Sequence, residues 1–113
     1  MIKHQGEHIP FTIELENLPG LITNFSEISN LIIYAKTKCH VVKFSMVAKD
    51  NYEPLFLTDN LLSGAILPKD TALMEGALFF EIMVIVPENG VEEKLVEVMN
   101  TGIDIKRSTI KNE

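Results

Sequence analysis

Ala77-Leu78-Phe79-Phe80-Glu81-Ile82-Met83-Val84-Ile85-Val86, followed at once by Pro87-Glu88-Asn89-Gly90, is the stretch that decides the fold. Aromatic, β-branched and long apolar residues, with Glu81 as their only charge, suit a pleated strand packed on one face and partly covered on the other. Asn89-Gly90 tolerates positive φ at both positions and matches the twist of flanking strands, so it predicts a hairpin. Over residues 91–99 two templates fit. Val91, Leu95, Val98 and Met99 fall at helical spacing, while Leu95, Glu97 and Met99 alternate with Val96 and Val98. A hairpin needs a returning partner, which favours strand. A three-residue loop ending in Gly90 sets Phe80 opposite Val98 and Ile82 opposite Val96. A two-residue loop sets Ile82 against Glu97, wasting burial worth roughly 1.5 to 3 kcal/mol. Ile103 and Ile105, beyond Gly102, continue the sheet after a bulge.

Outward from this hairpin the chain reads as short strands. Ile9, Phe11, Ile13 and Leu15 alternate with Pro10, Thr12, Glu14 and Glu16, the period of a strand with one wet face. Pro10 has no N–H to give, which places that strand at an edge or at its own beginning. Leu18-Pro19-Gly20 starts a loop. Residues 31–35 form a strand apolar on both faces, and residues 40–48 form another, with Val42, Phe44, Met46 and Ala48 inward. Asp50-Asn51 closes it with turn chemistry. Further strands follow at 55–57 and 61–67, and Gly64 marks a bulge or a close approach of another backbone. Asp70 caps a helical turn near residues 70–75, and Gly76 ends it. About seven short strands in one chain of 113 residues predict an all-β, antiparallel two-sheet sandwich of the immunoglobulin-like type. It occupies one domain, 1–113, with an ordered core over about 7–107 and frayed ends. The cysteine–tryptophan–cysteine core of antibody domains is absent.

The single cysteine, Cys39, rules out an intramolecular disulfide and fits a reducing compartment. The opening Met-Ile-Lys-His-Gln-Gly lacks the apolar run of a signal peptide. The longest apolar run is too short to span a bilayer as a helix. Net charge is −6, and residues 75–104 carry all of it: Glu75, Glu81, Glu88, Glu92, Glu93, Glu97 and Asp104 against Lys94. Such a surface repels phosphate backbones and excludes nucleic acid as a partner. A solvated, solubilising face explains this acidity better than an acidic docking surface.

Chemistry is sparse. Cys39-His40 joins a nucleophile and a base type, but neighbours on a strand point to opposite faces and cannot share a metal or a proton. His4 and His8 would share a face only on a helix, which Pro10 argues against. Asp50, Asn51, Glu53, Asp59 and Asn60 are calcium-type ligands at spacings that match no ion-wrapping loop, and turn formation accounts for them. Phosphate-loop, nucleophile-elbow and zinc-helix motifs are missing, so neither catalytic residues nor a cofactor or metal site is expected. Carbohydrate binding needs exposed aromatic faces. Alternation sends Phe11, Phe44 and Phe80 to the core, which leaves Tyr34 and Tyr52 as a thin platform and keeps a sugar- or ligand-binding module as the alternative.

Gln5-Gly6-Glu7 before the strand at Ile9, Ser26-Glu27-Ile28 leading into residues 31–36, and the segment from Leu67 to Ile82 make up an ordered series. It resembles the immunoglobulin-like N-terminal domain of phage baseplate upper proteins and the small tail-associated β domains of prophages. In that family a short turn of Thr, Leu and Gly precedes a strand of the second sheet, as Thr71, Leu73 and Gly76 do here. The resemblance implies a non-catalytic virion module of baseplate or tail-fibre type, made in the host cytoplasm, that docks on other virion or baseplate proteins and is compatible with a homo-oligomer. Family members often continue into a fibre or receptor-binding part, whereas this sequence stops soon after Ile110 and offers no coiled coil. The candidate interaction surface is Glu92, Glu93 and Glu97 with Tyr34 and Tyr52.

Overall fold

A computed structural model describes residues 1–14, 30–85 and 93–107. Their order is β1 (Ile2–His4), β2 (Ile9–Glu14), β3 (Asn30–Lys36), β4 (Val41–Ser45), β5 (Glu53–Pro54), β6 (Phe56–Thr58), β7 (Leu61–Ile66), a helical turn α1 (Pro68–Thr71), β8 (Gly76–Ile85) and β9 (Glu93–Lys106). Two sheets stack as a sandwich, one ordered β1-β9-β8-β3-β4-β5 and the other β2-β7-β6. The protein is all-β, as its apolar alternation requires. Most pairs are antiparallel, but β1 runs parallel to β9 and β5 parallel to β4, both at edges of the larger sheet.

The chain closes the sandwich on both sides. β1 and β5 are the edges of the larger sheet, β2 and β6 those of the smaller. Residues 5–8 carry β1 into β2, and Leu55 alone separates β5 from β6. Leu55 is buried at that corner and belongs to neither strand, so the strand expected over 55–57 begins one residue later, as β6. Ile9, Ile13, Leu62 and Ile66 of the smaller sheet meet Leu31, Ile33, Phe44, Phe80, Ile82 and Val84 of the larger one in a single core. Packed against this core, the half-buried Phe11 ring stands edge-on to Phe44 at 5.2 Å and tilted against Phe80 at 4.7 Å. Gly64 admits that ring: a Cβ there would lie 2.8 Å from Phe11 Cζ and 3.1 Å from Leu55 Cδ2. Neither role foreseen for Gly64 applies: β2 and β7 pair without a register shift from Ile9↔Ile66 to Glu14↔Leu61, so there is no bulge, and what comes close is a side-chain ring and not another backbone. Pro10 sits on β2, an edge strand, as its missing N–H demands.

Several expectations need correction. A strand not foreseen occupies Ile2–His4: the terminal ammonium donates to the Gly102 carbonyl at 2.9 Å, and the Asp104 N–H donates to Met1 O at 2.9 Å. The strand expected over 40–48 is shorter, Val41–Ser45. Buried Asn30 accepts the Val47 N–H at 3.0 Å, and the Ser45 hydroxyl donates to Val47 O, turning the chain away from the ladder. The helical turn starts earlier than expected, with Pro68 at its first position and Leu67 as N-cap, because the fixed φ of proline suits that place. Asp70 therefore does not cap it. Gly76, at φ +93°, opens β8.

On β8, Leu78, Phe80, Ile82 and Val84 are buried while Phe79, Glu81 and Met83 are half-covered on the other side. β9 is a strand, in the register of a three-residue loop only from Glu93 to Leu95, which pair with Ile85 to Met83. A bulge at Val96 then sets Ile82 opposite Glu97 and Phe80 opposite Met99. Burial is not wasted by this shift, because Val96 and Met99 both pack against the core across the bulge. A second shift between Ala77 and Phe79 brings in Gly102 at φ +76° and places Ile105 in the core, as its spacing predicts. Asn89-Gly90, Leu15 and the Leu18-Pro19-Gly20 break lie outside the described residues.

Phe80→Ala should cost about 3 to 5 kcal/mol in urea unfolding. Gly64→Ala should cost about 1 to 3 kcal/mol, since the ring it meets must shift. In a Phe11→Leu background the Gly64→Ala penalty should shrink. An unchanged penalty there would show that Gly64 serves something other than the ring.

Candidate interaction surface

The outer face of the larger sheet is built from the strand residues that alternate with the core. Register sets Leu95, Met83, Ile32 and Ser45 in one row across β9, β8, β3 and β4. Val98, Glu81, Tyr34 and Lys43 form the next, and Asn100, Phe79, Lys36 and Val41 the third. Antiparallel sheets with one solvated face carry polar residues there. This face does not. Ile32 and Ile85 are buried on it, Tyr34, Phe79 and Met83 are half-buried, and Leu95, Val98 and Val41 are 55, 53 and 41 % exposed. The charges within it are largely matched, with Lys36 Nζ 2.7 Å from a Glu81 carboxylate oxygen.

Along one side of this face runs a sheet edge that is open among the described residues. β9 has fourteen residues, and β1 lies beside only Asp104–Lys106. Residues 93–100 pair with β8 on one side and, among the described residues, with no strand on the other. Natural sheets blunt such edges, because unpaired N–H and C=O groups attract further strands.

Of the five residues proposed from sequence, Tyr34, Tyr52, Glu93 and Glu97 are described, and they stand at separate places. Tyr34 stands mid-sheet between Glu81 and Lys43 by register. Tyr52 lies in the turn before β5, with Lys49 Nζ 4.7 Å and Lys43 Nζ 5.6 Å from its ring centroid. Ammonium groups therefore stand where a sugar platform would need an open ring. The cleft beside Tyr52, of about 410 Å³, is mixed in charge, with Lys43, Lys69, Glu53 and Asp70 among its lining. Glu93 begins β9 and Glu97 follows the bulge, on the open edge. Glu92 lies outside the described residues. Sequence reasoning missed Leu95, Val98 and Phe79 as surface residues, because periodicity marks them as apolar without saying which layer covers them.

His40 precedes β4 and is not part of it, so strand alternation does not govern the Cys39-His40 pair. Its Nε2 lies 3.1 Å from Asp70 Oδ1, tying the β3–β4 turn to α1, and Cys39 is exposed. Among the described residues no group of three or more His, Cys, Asp or Glu could hold a metal ion, and no helix is long and apolar enough to cross a membrane. Of the acidic residues in 75–104, Glu75 meets Arg107 at 3.4 Å and Lys38 at 3.8 Å, and Asp104 meets Lys106 at 2.8 Å. That contact and charge raise the Lys106 pKa. The chain matches no protein-family model, no curated protein and no solved structure.

Glu7 governs the turn that delivers β1. Its carboxylate accepts the His4 backbone N–H, which holds its pKa below the ordinary 4.5, with the charges of Lys3 and His4 helping against slight desolvation. A depressed carboxylate pKa adds stability above its unfolded value, and that stability is lost as pH falls through the folded pKa. Acidification below 4.5 should therefore release β1 ahead of the core. Amide shifts of residues 2–4 followed by NMR should show a step that Glu7→Gln abolishes; a step that survives the substitution assigns the effect elsewhere.

The two faces of β8 and β9 also make a contrast that can be measured. Val98→Thr on the outer face should change stability by less than about 0.5 kcal/mol. Val84→Thr buries a hydroxyl in the core and should cost roughly 1 to 3 kcal/mol in thermal or urea unfolding. Equal costs would contradict the assignment of faces.

Proposed function

We propose that this protein is a non-catalytic phage or prophage virion module of baseplate or tail-fibre type that docks on neighbouring virion proteins. The observation that supports this reading best is the sheet edge at residues 93–100, which no strand pairs among the described residues, beside an outer face on which Leu95 and Val98 are exposed. A lone domain gains nothing from leaving an edge with exposed apolar side chains unpaired, since that edge invites association. A docking module uses it. The sandwich is closed by chain crossings at β1–β2 and β5–β6, so it can present the edge without rearranging, and little ordering entropy opposes binding. The acidic residues around Glu97 serve as a polar rim that sets orientation and selects partners more than it adds affinity.

Light scattering of the pure protein, alone and mixed with the products of neighbouring genes, tests this. A stoichiometric complex with at least one of them is expected. A strict monomer that associates with none contradicts it.

A further inference from the structure

We draw no further inference here: the strongest candidate, the edge of β9 at residues 93–100 with the exposed Leu95 and Val98 beside it, belongs to the surface already described, and nothing among the described residues shows what covers it.

Discussion

One aromatic contact organises the molecule. Phe11, from the smaller sheet, reaches between the layers to Phe44 and Phe80 of the larger one, and Gly64 on the adjacent strand leaves room for its ring. The contact couples residues far apart in sequence, so it fixes how the sheets stack as well as how much apolar surface they hide. Aromatic pairs add about 0.5 to 1.5 kcal/mol beyond their burial and prefer tilted or edge-on geometry, as here. The links at residues 5–8 and at Leu55 then close the sides.

With the layers stacked in this way, β9 does two jobs at once. Its bulge at Val96 keeps Val96 and Met99 against the core despite a shift in register, and the same bulge leaves Leu95 and Val98 outward. Bulges bend strands and re-aim side chains. At the far end Gly102 turns the strand so that Ile105 enters the core, and its carbonyl holds the N-terminal ammonium. β1 therefore protects only the last part of β9. Among the described residues no strand covers the remainder.

Much of this fold was legible in the sequence, and the limits have physical causes. Alternation of Ile9, Phe11 and Ile13, and of Leu78, Phe80, Ile82 and Val84, marks core faces because side chains on a strand change sides at every residue. Gly102 announced its bulge. The short β4 was not legible, since the Asn30 side chain that intercepts Val47 comes from another strand. β1 has no alternation to detect, and its place depends on a carbonyl about a hundred residues away in sequence. The site was least legible. Glu93 and Glu97 were identified by their charge, but whether a strand has an empty side depends on sheet order, which periodicity does not encode. Tyr34 and Tyr52 were chosen as exposed rings, and residue type alone does not reveal the lysines that stand over Tyr52.

Native-state hydrogen exchange of the isolated protein tests the central claim, that β9 is open along one side, most directly. Amides of β3 and of the core stretch of β8 should exchange slowly, and those of residues 104–106 should share that protection under β1. Between residues 95 and 100, slow and fast amides should alternate, the fast ones pointing away from β8. Uniform protection from 95 to 100 would mean that the edge is already occupied, and would contradict the account.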